Sequence, residues 1–195
     1  MFIVKKLFNL VKILFATFIF SLVIDFFFGA KILSYFDSFF AKSQFYERLI
    51  RIDHPTYHHT LRENVQYTNN VNFEDTYELC TNNHGFKSKC NQIDNKNYDF
   101  AFIGDSFTEG TPIEYEDSFV GIFTEKTGYK TANLGIVSYS PKIYLSKVNY
   151  LLQEGFKFDH VIVFIDISDF YDDTNFYSID KNLKVTEKYL SLIHI

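Results

Sequence analysis

The chain of 195 residues contains no tryptophan, one methionine, three prolines and two cysteines. Two cysteines are too few to bind a tetrahedral zinc ion alone or to build a disulfide scaffold, so the core must come from ordinary burial of apolar side chains. With 47% hydrophobic residues the chain is too apolar to be disordered, and its few prolines and glycines exclude a fibrous repeat. The composition predicts one folded domain and an additional segment.

Basic residues are also in deficit. The formal net charge is −5, and beyond residue 30 the chain has 16 basic against 23 acidic residues. Proteins that bind nucleic acid need a concentrated basic surface, because contacts to phosphate supply much of the affinity. We therefore expect no nucleic-acid partner.

One long apolar run is present, over residues 13–30, and three lysines precede it. As a helix, its 18 residues would span about 27 Å, close to the hydrocarbon thickness of a bilayer. Its only charge, Asp25, would lie near an interface, where a charge costs less than at mid-bilayer. By the positive-inside tendency the lysines keep the N-terminus in the cytoplasm. We therefore predict a single-pass membrane anchor with the remaining chain on the outer side.

A cleaved signal peptide is the competing interpretation of the same run. Such peptides end in small residues at the processing site, whereas three phenylalanines occupy positions 26–28. We therefore assign residues 1–30 to a cytoplasmic tip and an uncleaved anchor. Residues 31–94, which lack a clear periodicity, are assigned to an irregular lead-in, and residues 95–195 to an α/β domain.

Two features of the lead-in leave alternatives open. On the outer side of a membrane, Cys80 and Cys90 either form a disulfide that closes a short loop or remain two thiols, and their spacing alone does not establish the geometry. His58 and His59, beside Tyr57, either contact a sugar or pack against the domain. We favour packing for the histidines.

From residue 95 onward, short apolar runs alternate with amphipathic segments. Residues 99–104 and 160–166 have the composition of strands buried in a sheet, and residues 131–135 are a third strand candidate. Residues 118–128 have the apolar spacing and terminal glycine of a helix, and a second helix begins at Ser140 with proline at its first position. This alternation predicts a parallel sheet covered on both faces.

Polar residues follow each of the three predicted strands. In parallel sheets, reactive groups gather at the carboxyl ends of the strands. Ser106 comes directly after the first strand, between Gly104 and Gly110, where its hydroxyl can reach the sheet edge while loop amides point towards it. The alternative is a loop serine whose hydroxyl bonds to its own backbone. We favour a nucleophile.

Three blocks of this sequence resemble, in order and spacing, the first three blocks of the SGNH, or GDSL-type, hydrolases. They are FIGDSFTEG at residues 102–110, NLG at residues 133–135 and IDISDFYDD at residues 165–173. The strings YEDSFV and SYSPKIYLSKVNYLL resemble membrane-anchored bacterial members associated with surface glycans. The resemblance implies a flavodoxin-like fold of three α/β/α layers around a parallel sheet, and ester hydrolysis or acyl transfer without a cofactor or metal.

Four residues take roles by their position in these blocks. Ser106 resembles the nucleophile and, through its own amide, one oxyanion donor, while Gly135 resembles the second amide donor. Ser168 stands where the family usually has asparagine, and its hydroxyl reaches less far than an amide. Asp169 resembles a residue that supports the backbone of the site. The alternative for the acidic residues between positions 166 and 173 is a metal cluster, and we favour a solvated loop instead.

The family's general base is a histidine three residues after an aspartate, and no Asp-x-x-His occurs in this chain. A serine without a base is a poor nucleophile. The sequence also contains only about three strands, fewer than the fold needs, and the last residues, SLIHI, fit no element. We therefore expect a truncated coding sequence, incomplete at the C-terminal end of the sheet, and no activity from the chain as it stands.

Two functions follow as expectations. The first is a serine esterase or O-acyltransferase that acts on acylated cell-envelope polysaccharide at the membrane and passes through an acyl-Ser106 intermediate. The second is a non-catalytic domain of the same fold that binds a glycan or a protein partner, which the substitution at Ser168 and the missing histidine permit.

Overall fold

The computed structural model describes residues 2–24, 49–70 and 76–188 of the chain. By internal contacts the chain divides into two compact units, Met1–Arg48 and Leu49–Ile195. The first unit contains helix α1 (Phe2–Ile24). Within α1 the hydroxyl of Thr17 donates to the carbonyl oxygen of Ile13 at 2.9 Å, so this polar group is satisfied inside the helix.

Among the residues described, no helix combines the length and the apolarity that are needed to cross a membrane. The first half of α1 contains three lysines, so its stretch without charge covers residues 13–24, which is about 18 Å at 1.5 Å per residue. The structure therefore does not support the membrane helix predicted over residues 13–30. Residues 25–30 of that prediction lie outside the described residues.

The second unit begins with two antiparallel hairpins, in the region that was predicted to be an irregular lead-in. The hairpins consist of β1 (Arg51–His54) with β2 (His58–Leu61), and of β3 (Gln66–Asn70) with β4 (Thr76–Cys80). Leu61 and Leu79, one from each hairpin, are buried in the same hydrophobic cluster as the central sheet. The hairpins are therefore part of the folded domain.

The centre of this unit is a three-stranded parallel sheet in the order β6–β5–β7. Its strands are β5 (Asn97–Ile103), β6 (Thr131–Asn133) and β7 (Lys157–Val163). Phe102 of β5 is paired with Asn133 of β6, and Ile103 of β5 with Val163 of β7. The prediction of an α/β domain with a parallel sheet is confirmed at this level.

Within the described part of this unit, four helices and a small hairpin follow or connect the strands of the sheet. They are α2 (Ser106–Glu109), α3 (Phe119–Thr127), α4 (Pro141–Gln153), α5 (Ile167–Asn175), β8 (Tyr177–Ile179) and β9 (Val185–Glu187). At the start of α3 the Ser118 side chain accepts a hydrogen bond from the N–H of Gly121, and Gly128 ends the helix with φ of 71°. Ser140 precedes α4 but forms no side-chain cap. Its hydroxyl donates to Asp173 at 3.0 Å, and the same carboxylate oxygen accepts the N–H of Lys142 at 2.9 Å.

Both faces of β5 are covered. Ala101 and Ile103 lie in the main core, which includes apolar side chains of α4, whereas Phe102 packs with Val120 of α3. The prediction that the whole sheet is covered on both faces is wrong for β7, where Ile162 is 38% exposed. The reason is position: β7 is an edge strand, and in the described part of the chain only β5 pairs with it.

Cys80 and Cys90 form a disulfide. It joins the end of β4 to the segment that leads into β5, so the bonded alternative is the one observed. Within this loop the side-chain oxygen of Asn82 accepts the N–H groups of His84 and Phe86, each at 3.0 Å. The amide nitrogen of Asn82 also lies 3.4 Å from the hydroxyl of Tyr98, so Asn82 connects this loop to the start of the central strand.

Candidate functional site

Ser106 follows the central strand and is the first residue of α2. The preceding Asp105 accepts a hydrogen bond from the N–H of Phe107 at 3.0 Å, which turns the chain from strand to helix. The Ser106 side chain is half-buried, and within the described residues neither its hydroxyl nor its backbone N–H has a hydrogen-bond partner. The alternative of a hydroxyl bonded to its own loop is therefore not what the structure shows.

Gly135 lies just beyond the end of the neighbouring strand and packs against α2. The N–H of Leu134 donates to the carbonyl oxygen of Phe102, so residues 133–135 run beside the end of β5. A Cβ atom at position 135 would lie 2.6 Å from the Cβ of Thr108 and 2.7 Å from the N of Glu109. Glycine is required here by the close approach of α2 itself.

The N–H of Gly135 already has an acceptor. It donates to the side-chain oxygen of Asn133 at 3.0 Å, while the Asn133 amide nitrogen donates to the carbonyl oxygen of Thr108 at 2.9 Å. Asn133 is 2% exposed and thus braces the turn after β6 against α2. In this arrangement Gly135 can donate to an oxyanion only if its N–H turns away from Asn133.

Asp169 and Ser168 lie in the first turn of α5, after the third strand. The solvated loop expected for the acidic residues between positions 166 and 173 is therefore wrong, because Ile167–Asn175 form a helix that Asp166 caps. Asp169 is 1% exposed, and its carboxylate accepts the N–H of Asp166 at 2.9 Å and the hydroxyl of Tyr144 at 2.7 Å. This reciprocal capping box fixes the start of α5, and the bond to Tyr144 ties it to α4. The hydroxyl of the exposed Ser168 donates to Asp166 at 2.7 Å, so it is turned towards its own helix cap.

Three carboxylates share this edge of the sheet. Burial raises the pKa of the Asp105 carboxyl, and the negative charges of Asp169 and Asp166 raise it further. The hydrogen bond from the N–H of Phe107 lowers this pKa and opposes them. The pKa of Asp166 is lowered by the two hydrogen bonds from Ser168. The ends of the first and third strands are therefore close enough to interact electrostatically.

A buried ion pair, which the sequence patterns did not reveal, holds α2 in place. Glu109 is 0% exposed and forms a bidentate pair with Arg51 of β1, at 2.8 Å and 3.0 Å. The same carboxylate accepts the N–H of Val137 at 2.7 Å. The first hairpin, α2 and the turn after β6 are thereby joined at one side chain. Its only sequence signal is a glutamate in the block that contains Ser106.

A buried lysine stabilises the loop that follows α2. The Lys87 ammonium donates to the carbonyl oxygens of Gly110 at 2.7 Å and Ile113 at 2.5 Å. Burial lowers its pKa to about 8, while the negative charge of Glu109 acts in the opposite direction. Two cations, the half-buried Arg51 and the buried Lys87, therefore bind to α2 or directly after it.

No histidine forms a hydrogen bond with Ser106 in the part of the chain that the structure describes. The histidines lie in the first hairpin, in the disulfide loop, on β7 and beyond the described residues: His54, His58, His59, His84, His160 and His194. His160 stacks on Phe100 in the middle of the sheet, with ring centroids 4.8 Å apart. The described residues thus place a serine at the strand end without a neighbouring imidazole.

No family model, no curated protein and no solved structure matches the chain. The resemblance to SGNH hydrolases consequently rests on the three sequence blocks and on the arrangement of their residues.

Proposed function

We propose that this protein is a serine esterase or O-acyltransferase of the SGNH type, with a flavodoxin-like domain that acts on acyl esters of a cell-envelope polysaccharide. The observation that carries the proposal is Ser106, whose half-buried hydroxyl and N–H lack partners within the described residues at the end of the central parallel strand. Attachment to a membrane through residues 13–30, with the domain on the outer side, stays a prediction from the sequence.

In the proposed reaction the Ser106 hydroxyl oxygen attacks the ester carbonyl carbon and gives its proton to a base. The tetrahedral intermediate then expels the sugar oxygen, which takes up a proton, and leaves an acyl-serine. Water or a sugar hydroxyl next attacks the acyl carbon and releases Ser106. The N–H of Ser106 can donate a hydrogen bond to the oxyanion, and each such donor contributes about 2.7 to 4 kcal/mol.

A second N–H donor requires a small rearrangement at Gly135. Its N–H would have to exchange the side-chain oxygen of Asn133 for the oxyanion. Asp169 acts through the backbone in this scheme, because its carboxylate is occupied by Asp166 and Tyr144. Ser168 would likewise have to leave Asp166 to reach the substrate.

The second candidate is a non-catalytic domain that binds a glycan or a protein partner. Two hydrogen bonds favour it, from the N–H of Gly135 to Asn133 and from the hydroxyl of Ser168 to Asp166. The lack of a histidine bonded to Ser106 in the described residues also favours it. A binding function does not require a reactive serine.

A fluorophosphonate probe separates the two functions, since it labels only activated serines. We expect the protein to be labelled slowly, and faster when imidazole is added as an external base. Ser106→Ala should abolish labelling, whereas Ser178→Ala on β8 should not change it. Labelling that survives Ser106→Ala would remove the nucleophile assignment, and no labelling even with imidazole would favour the binding domain.

A further inference from the structure

A cavity of about 540 Å³ lies at the amino-terminal ends of the sheet's strands, whereas Ser106 lies at the carboxyl end of β5. It includes Lys96, directly before β5, and Phe156, directly before β7, so the length of the strands separates it from Ser106. Seven residues of β5 at about 3.3 Å per residue correspond to roughly 23 Å. The volume is within the range of small-ligand sites.

Aromatic rings form the walls of this cavity. His54 stacks on Tyr57 with centroids 3.5 Å apart, and Tyr150 meets His54 edge-on at 4.7 Å. On the other side, the His84 ring meets Phe156 at 4.9 Å. Flat apolar rings of this kind suit the C–H face of a pyranose, which is apolar although its rim of hydroxyls is polar.

His54 supplies a hydrogen-bond donor of defined position. Its Nδ1 accepts the N–H groups of Thr56 at 3.3 Å and Tyr57 at 3.4 Å. Burial, together with the charge of Lys147, lowers its pKa to about 4, so the ring is neutral at pH 7 and carries its single proton on Nε2. Among the described residues this Nε2–H has no acceptor.

His84 supplies the complementary acceptor. Its Nε2 lies 3.0 Å from the carbonyl oxygen of Asp94, and because a carbonyl can only accept, Nε2 carries the proton. In the neutral ring Nδ1 is then a bare acceptor, and it has no partner in the described part of the chain. A hydroxyl group both donates and accepts, so the hydroxyls of one ligand can bond to either histidine.

The charges around the cavity cancel. Arg62 and Lys96 contribute two positive charges, and Glu63 and Glu154 contribute two negative ones. The Arg62 Nε donates to the carbonyl oxygen of Leu49 at 3.0 Å, and the Lys96 ammonium donates to that of Glu154 at 2.7 Å. A phosphate or another anion gains no net attraction here, whereas the two carboxylates can accept hydrogen bonds from hydroxyls.

We propose that this cavity binds a neutral saccharide unit, with the sugar ring against Tyr150 and its hydroxyls bonded to His54, His84 and the carboxylates of Glu63 and Glu154. This site is additional to the proposed ester chemistry and does not require Ser106. In a longer glycan it would hold one part of the chain at a distance from the strand end that carries the serine.

The test is an NMR titration of the ¹⁵N-labelled protein with methyl glycosides of glucose, galactose, mannose and N-acetylglucosamine. We expect millimolar binding of at least one glycoside, with amide shifts confined to residues around the cavity. Glucuronic acid and glucose 6-phosphate should bind at least threefold more weakly than their neutral counterpart. Shifts from none of the four glycosides, or stronger binding of the two anions, would overturn the proposal.

Variants then connect the binding to the named side chains. Tyr150→Ala and the double variant Glu63→Gln/Glu154→Gln should each weaken binding at least tenfold, whereas Glu125→Gln on the exposed surface of α3 should not. Because Glu63 and Glu154 are exposed, the double variant should keep the fold, and the spectrum without ligand checks this. Unchanged affinity in both variants contradicts the proposal. Ser106→Ala should bind like the wild type, which keeps this test separate from that of the esterase.

Discussion

His59 on β2 is held between its neighbours by hydrogen bonds to both ring nitrogens. Its Nε2 lies 2.9 Å from the carbonyl oxygen of Val137 and therefore carries a proton, and its Nδ1 lies 2.6 Å from Nδ1 of His58. Burial lowers the pKa of His59 to about 3, and the positive charges of His58, Arg51 and Lys147 add to this, although the bond to Val137 opposes it. His59 packs against the domain, as predicted from the sequence.

This environment predicts a loss of stability in mild acid. In the unfolded chain histidine has a pKa near 6.5, whereas His59 in the folded protein has a pKa of about 3. Below pH 6.5 the unfolded state therefore binds a proton that the folded state does not, and folding becomes less favourable as the pH falls. From pH 7 to pH 5, His59 should account for a decrease of about 2 kcal/mol in the free energy of unfolding.

Urea unfolding at pH 7 and at pH 5 measures this decrease. His59→Gln should show a smaller difference between the two pH values than the wild type, because the titrating ring is gone. His160→Gln, which replaces an exposed ring on β7, should keep the wild-type difference. Equal differences in wild type and His59→Gln would contradict the assignment.

At the scale of elements, the ends of β5 and β6 are joined by a contact between the backbone at Gly135 and α2. Asn133 bonds to both sides of this contact, and Glu109 ties α2 to the first hairpin through Arg51. The parts of the candidate site are thus positioned by packing between short elements, since α2 itself has only four residues.

Gly135→Ala should separate these elements. The new methyl group would lie 2.7 Å from the N of Glu109, so the backbone must shift, and we expect a loss of about 1 to 3 kcal/mol in the free energy of unfolding. The matched control is Gly155→Ala, where φ is +84° and no atom lies within 4 Å of the new methyl.

Amide chemical shifts distinguish the two glycine variants beyond their stability. Gly135→Ala should move the amide resonances of Thr108 and Glu109, whereas Gly155→Ala should add local strain and leave them unchanged. If both variants leave these resonances in place, α2 does not depend on the close approach at Gly135.

For the whole molecule, the disulfide between Cys80 and Cys90 joins the end of β4 to the segment that leads into β5. A cross-link across 10 positions restricts the unfolded chain, and the entropy model assigns about 2 to 3 kcal/mol to a loop of this size. The domain gains this stability only where the thiols are oxidised.

We expect Cys80→Ser/Cys90→Ser to lower the urea midpoint by an amount that corresponds to about 2 to 3 kcal/mol. A reducing agent should lower the midpoint of the wild type in the same way and leave the double variant unaffected. A wild-type midpoint that does not respond to reduction would show that the bond adds nothing to stability.

Much of the central domain could be predicted from the sequence, because its signals are local. The apolar runs that became β5 and β7 are followed directly by the polar residues of the candidate site, and neighbouring residues are sufficient to recognise such strand ends. The two hairpins before the sheet could not be predicted in this way. Their strands are four or five residues long and rich in polar side chains, and they are stabilised by packing of residues such as Leu61 and Leu79 into the distant core.

Local patterns in the sequence predicted β5, β6, β7, α3 and α4 of the central domain and placed Ser106 directly after a strand. They did not predict the helices α2 and α5 or the β8–β9 hairpin. Contacts between distant segments place β7 at an exposed edge, pair Glu109 with Arg51 across 58 positions, and let the side-chain oxygen of Asn133 accept the N–H of Gly135. Such contacts leave no local signal, because periodicity and capping act between neighbouring residues. Exposure and hydrogen-bond partners depend instead on which distant segments pack together.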